Sequence, residues 1–314
     1  MGKPATKIKR AALAALAIVL ALAVVELLLQ GAHLLARSRA GAGADGRPVV
    51  LCIGDSHTYG AGVAAAETYP AQLEARLAAM GYKVRVVNEG APGYNTSELR
   101  RRLPDWLGEW QPVMVIVLVS VNNGWNRADA AWSDQADGLP VPLSARVSDF
   151  IFTRLRLGRA FWLAAHRLEW TRQPDELAHD REGRAVVHQR GPGDSAAAAY
   201  DRARRDLAAI IAACRAAHAE PVLLTYVSDP EYTFETSNRL LRETAARFRV
   251  TLVDDDRDLR PALTRPDGSF DAAARNRLFL PDMHPAAPGY RLIAENIVRR
   301  LGEDGKLEYL RGTR

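Results

Sequence analysis

Four segments carry residue types that together could do nucleophilic acyl chemistry. They are Gly54-Asp55-Ser56-His57-Thr58-Tyr59-Gly60, Asn88-Glu89-Gly90-Ala91-Pro92-Gly93-Tyr94-Asn95-Thr96, Ser120-Val121-Asn122-Asn123-Gly124 and Leu280-Pro281-Asp282-Met283-His284-Pro285. A serine hydroxyl is a poor nucleophile until a base within hydrogen-bond reach takes its proton. A histidine titrates near neutrality, so it can take that proton and return it to a leaving group. A carboxylate on the other ring nitrogen fixes the tautomer. The tetrahedral oxyanion needs donors set in place beforehand, from backbone N–H groups or an asparagine amide. Taken singly, each residue also has an ordinary structural use: Ser56 in a turn, Gly93 after Pro92, Asn122 at a strand end, His284 as a cap of the last helix.

What would bring the four segments together is a sheet. Five short apolar runs, Val49–Gly54, Lys83–Asn88, Val113–Ser120, Pro221–Ser228 and Val250–Asp254, are rich in Val, Ile and Leu and end in polar or turn residues. Helical patterns lie between them at about Thr68–Met80, Ser97–Trp110, Ser195–His218 and Phe234–Arg249, with a last helix at about Ala287–Leu301. Buried strands alternating with helices predict a mainly parallel sheet covered on both faces. Ligands of such sheets bind beyond the carboxyl ends of the strands, where Ser56, Gly93, Asn122 and His284 fall. The third and fourth runs are too far apart for a simple crossover, so about 125–194 reads as an insertion. It holds Trp125, Trp132, Trp162 and Trp170. Its Ile151–Leu168 stretch, apolar with interleaved arginines, fits a helix packed on the domain, a lid over an acyl pocket or a surface lying on a bilayer.

The set of segments resembles the SGNH (GDSL-type) hydrolase superfamily over about Val49–Leu301. The resemblance implies a three-layer α/β/α sandwich with a five-stranded mainly parallel sheet, flavodoxin-like in topology. It puts Ser56 at the nucleophile and His284 at the base. Ser56, Gly93 and Asn122 fall at the oxyanion hole, with Gly90 the runner-up to Gly93. Here His57 stands where the family usually has Leu, and Ser120 and Asn123 stand for Gly and Asp of the third block. The family's Asp three residues before the base is Pro281 in this chain, which leaves Asp282, two before it, as the candidate triad acid. Asp55 is expected to hold the loop, and the His57 side chain to point elsewhere.

The resemblance implies a serine esterase that cleaves an acyl ester of a small molecule, glycan or lipid through an acyl-serine intermediate, with no cofactor. Two other readings stay open: an O-acyltransferase acting on a cell-envelope glycan, and a catalytically inactive scaffold of the same fold. Gly60-Ala61-Gly62-Val63-Ala64-Ala65 formally matches a dinucleotide-binding fingerprint, but its glycines come several residues past the strand end.

The chain has 314 residues, 48% of them apolar and 25% charged, which excludes a mostly disordered protein. Its net charge of +5 invites a nucleic-acid reading. Six of the 42 basic and one of the 37 acidic residues lie in 1–40, however, which leaves 36 of each in the body. A neutral body lacks the electrostatic footprint of a nucleic-acid binder. The charge belongs to an apolar segment, 11–36, preceded by Lys3, Lys7, Lys9 and Arg10 and interrupted by Glu26. About 20 apolar residues suffice to span a bilayer, and leading cations stay cytoplasmic. The expected order is a basic tail at 1–10, a transmembrane signal-anchor at 11–36, a linker at 37–47, the hydrolase domain at 48–302 and a tail at 303–314. The domain is expected on the periplasmic side of the inner membrane. A cleaved signal peptide is the alternative, with Ala40-Gly41-Ala42 as a small-residue site. Cys52 and Cys214 are expected to be small buried residues rather than a disulfide, and no Cys/His cluster has zinc spacing.

Overall fold

The computed structural model describes residues 46–124, 126–154, 176–179, 185–188, 196–230 and 233–311, with scattered positions between 17 and 31. The strands are β1 (Val49–Gly54), β2 (Arg85–Asn88), β3 (Met114–Leu118), β4 (Glu176–His179), β5 (Ala185–His188), β6 (Glu220–Leu224) and β7 (Thr251–Val253). The helices among the described residues include α1 (Ser56–Tyr59), α2 (Tyr69–Ala79), α3 (Thr96–Trp110), α4 (Ala130–Ala136), α5 (Leu143–Arg154), α6 (Ala196–Ala216), α7 (Glu235–Phe248), α8 (Asp255–Asp258), α9 (Ala272–Leu278) and α10 (Ala287–Glu303).

Five strands form one sheet in the order β2-β1-β3-β6-β7, with every pairing parallel. β1 and β3 are buried at every residue, which is why their sequences are unbroken apolar runs rather than alternating ones. The order reverses at β1. β1 connects outward to β2, and the chain then returns past β1 to β3 and continues to β6 and β7. Right-handed crossovers therefore put α2 on one face and α3, α6 and α7 on the other. α10 packs on α2, α3 on α6, and α6 on α7. The switch point falls between β1 and β3, where α/β sheets open a crevice for ligands.

Local chemistry starts the helices where they are needed. Asn95 caps α3: its side chain accepts from Glu98 N at 2.9 Å, and Glu98 Oε2 accepts from Asn95 N at 3.3 Å. Leu99, Leu103, Trp106 and Trp110 then form one buried stripe. α10 buries Tyr290, Ile293, Ala294, Ile297 and Leu301 in the same core.

Residues Met1–Ala42 and Pro140–Pro174 form one compact unit, and Gly43–Leu139 with Asp175–Arg314 form another, which holds the sheet. In the long connection between β3 and β6, the described residues include α4, α5 and an antiparallel β4–β5 pair that the sequence patterns did not reveal. On α5, Leu143, Val147, Phe150 and Ile151 are exposed. Among the described residues no helix is long and apolar enough to cross a membrane. Most of the 11–36 segment, Trp125, Trp162, Trp170 and most of Ile151–Leu168 lie outside the described residues.

Candidate active site

β1 ends at Gly54, where a Cβ would collide with Thr58 Oγ1 and Leu118 O. Only glycine lets the chain turn this tightly into α1, which begins with Ser56. Asp55 is the N-cap, with its carboxylate accepting from His57 N at 3.0 Å. Its other oxygen accepts from the Tyr226 hydroxyl at 2.5 Å. The carboxylate is fully buried, and that burial pushes its pKa up to about 7 against the opposing pull of the Tyr226 and His57 hydrogen bonds. Asp55 thus holds the loop, as its type and place suggested. Gly90 backs the same turn, since a Cβ there would collide with Tyr59 N. The fingerprint glycines Gly60 and Gly62 serve the turn after α1, both with positive φ.

Across from Ser56, the loop before α10 folds back on itself. Leu280 N donates to His284 O at 2.8 Å and Met283 N to Leu280 O at 3.0 Å, with Met283 in the left-handed region at φ +64°. This turn brings His284 Nε2 to 2.7 Å from Ser56 Oγ. Asp282 Oδ2 lies 3.0 Å from His284 Nδ1, yet that nitrogen makes no hydrogen bond among the described residues. The other Asp282 oxygen accepts from His284 N at 3.2 Å. Starting only two residues upstream, the carboxylate straddles the backbone N–H and the ring of His284. Its side chain is 60% exposed, unlike the buried acid of a well-formed triad.

The expectation that the His57 side chain points elsewhere needs correction. Its ring stacks on that of His284 with centroids 4.6 Å apart and planes 29° from parallel. Tyr226 and Phe234 meet the His57 ring edge-on at 5.0 and 5.6 Å. A residue adjacent in sequence to Ser56 thus lies against the base. The sequence holds no pattern for Tyr226 or Phe234, because their role depends on β6 lying beside β3.

The loop after β2 that holds Gly93 is joined to the turn after β3 through Asn126 and Asn122. Gly93 has φ +78°, a conformation open to glycine at little cost. Asn126 Nδ2 donates to Gly93 O at 2.6 Å, and Asn122 Nδ2 donates to Tyr94 O at 3.0 Å. Two asparagines thereby clamp consecutive carbonyls of the loop. Asn123 fixes a residue further along: its Oδ1 accepts from Thr96 N at 3.3 Å and its Nδ2 donates to Thr96 Oγ1 at 2.7 Å. Thr96 and Ser97 in turn donate to the fully buried Asp206 of α6, each at 2.7 Å. Asn126 was signalled only by its closeness to Asn122 and Asn123, and Asp206 not at all. Ser120 carries φ +140°, and its buried hydroxyl has no partner among the described residues. Cys52 and Cys214 are buried free thiols, with burial pushing Cys214 up to about 12. Among the described residues no group of three or more His, Cys, Asp or Glu is placed to hold a metal.

A doubly wound parallel sheet with a serine and a histidine in hydrogen-bond contact at its switch point defines an α/β protein of the serine–histidine type. More specifically, the chain belongs to the GDSL-like lipase/acylhydrolase family, whose model matches residues 52–292. Over 104 residues it is 34% identical to esterase TesA of Pseudomonas aeruginosa, covering 30% of this chain and 52% of that protein. The chain thus spans about half the length of the curated relative it matches. Among solved structures, the crystal structure of a TesA is similar at 19% identity and TM-score 0.46, over 81% of this chain and 98% of that one. A catalytic mutant of Axe2, an acetylxylan esterase from Geobacillus stearothermophilus, is similar at 17% identity and TM-score 0.49, over 83% and 95%.

Proposed function

We propose that the protein is a membrane-anchored serine esterase that hydrolyses an acyl ester through an acyl-Ser56 intermediate. The observation that carries this reading is the 2.7 Å contact between Ser56 Oγ and His284 Nε2. In this mechanism His284 takes the hydroxyl proton as Ser56 Oγ attacks the ester carbonyl. The oxyanion is met by the N–H groups of Ser56 and Gly93 and by the Asn122 amide, whose orientation is set by its bond to Tyr94 O. His284 then gives its proton to the leaving alcohol. Water, deprotonated by the same imidazole, releases the acid. Asp282 contributes negative charge near Nδ1 rather than an aligned hydrogen bond. The contact also favours a working site over an inactive scaffold.

Membrane attachment belongs to the same proposal. Leu20, Val24, Leu27 and Leu28 are exposed while Glu26 is buried, the reverse of a helix bathed in water. With the cations before residue 11 on the cytoplasmic side, the catalytic unit would face the periplasm. Two measurements test the proposal. The full chain should release free acid from a short p-nitrophenyl ester, and Ser56→Ala should abolish that release. It should also remain in the membrane fraction after a carbonate wash. Hydrolysis retained by Ser56→Ala would overturn the site, and release by carbonate would overturn the anchor.

A further inference from the structure

The base of this site has a second imidazole stacked on it. In a triad the carboxylate holds the imidazole plane, but here the Asp282 oxygen is 3.0 Å from Nδ1 without forming a hydrogen bond, and its side chain is mostly exposed. Among the described residues, the His284 ring also meets Ser56 through Nε2 and stacks on the His57 ring, with centroids 4.6 Å apart and planes 29° from parallel. His57 is itself immobilised on three sides. Its backbone N–H is tied to the buried Asp55, and its ring is wedged edge-on against Tyr226 and Phe234, which contact each other at 5.1 Å.

We propose that His57 is a positioning residue for the base: its ring is a rigid plate that sets the plane of the His284 imidazole and supplies order that the Asp282 carboxylate does not. The inference rests on the esterase reading. A plate must be neutral, since the imidazolium formed on His284 at each proton transfer would repel a second cation stacked on it. Burial, and secondarily the nearby His284, hold the His57 pKa well below its ordinary value, so the ring stays neutral through the working range. A flat π-face over a cation is also mildly attractive. None of this touches the ester, so the effect should appear in turnover and not in substrate affinity.

The test compares His57→Leu with His57→Phe in the full chain, using p-nitrophenyl acetate. Leu fills similar space without a flat face, whereas Phe keeps the plate without the ring nitrogens. His57→Leu should lower kcat by about tenfold or more, within the ~10²-fold that misplacing a reacting group costs. Its KM should stay within about twofold, and His57→Phe should recover most of the lost kcat. Equal kcat in wild type and His57→Leu, or equal losses in both variants, would overturn the inference. If His57→Leu does not melt cooperatively, His57→Met against His57→Phe makes the same comparison, with equal kcat again the overturning result. An inactive wild-type protein would overturn the esterase reading itself, a result distinct from either.

Discussion

Asp282 and His284 are within 3.0 Å of each other, oxygen to Nδ1, and yet are not hydrogen-bonded there. A buried, aligned triad carboxylate is worth about 10⁴ in kcat. An exposed carboxylate with no hydrogen bond to the ring contributes mainly a solvent-screened charge. Asp282→Asn should therefore lower kcat by only about tenfold, measured with a p-nitrophenyl ester at neutral pH.

Ser120 is predicted to cost the fold stability. Its φ of +140° suits glycine, and its hydroxyl is buried with no partner among the described residues. Either feature costs on the order of 1 kcal/mol or more. Ser120→Gly gives back some of that through the unfolded-state entropy of glycine. The net expectation is a gain of about 1 kcal/mol, seen as a rise in Tm with hydrolysis unchanged.

The proposed mechanism gives Asn122 the role of an oxyanion donor, with its amide also bonded to Tyr94 O. Removing one such donor typically costs about 10²–10³ in kcat. Asn122→Ala should show a loss of that size with a smaller change in KM. Asn126→Ala, which frees the Gly93 carbonyl instead, should cost less.

Asp55 makes stability depend on pH in a direction that can be worked out. Its pKa rises from 3.8 to about 7 on folding because burial disfavours the charged form. A raised folded pKa means the native state holds the proton longer than the unfolded chain. The contribution is complete below about pH 4 and is lost as pH rises through about 7. Asp55→Asn removes that term while keeping an acceptor for His57 N. The Tm difference, wild type minus variant, should therefore fall between about pH 4 and about pH 7. A difference that stays level would contradict the assignment.

The sheet was legible because β1, β3 and β6 are buried on both faces, and burial leaves continuous apolar runs such as Val49–Gly54. The long helices were legible for the complementary reason, a 3.6-residue stripe such as Leu99, Leu103 and Trp106 in α3. The pairing of Ser56 with His284 could be anticipated because one follows β1 and the other precedes α10; the two lie 2.7 Å apart. What stayed hidden depends on contacts between distant parts of the chain. The Tyr226 hydroxyl reaching Asp55 spans 171 residues, and Thr96 reaching Asp206 spans 110. His57 was misread because adjacency to Ser56 says nothing about χ angles. Its ring stacks on His284 with Tyr226 and Phe234 edge-on beside it, contacts that come from parts of the chain far from residue 57.

The central claim is that Ser56 is a nucleophile activated by His284. A fluorophosphonate, whose phosphorus is attacked by an activated serine with loss of fluoride, measures this directly when the labelled protein is digested and the adduct mapped by mass spectrometry. One adduct per chain on the peptide holding Ser56, with hydrolysis lost in step and labelling greatly slowed in His284→Ala, is the predicted result. Unlabelled Ser56 in protein that hydrolyses esters, or labelling at an undiminished rate in His284→Ala, would contradict it.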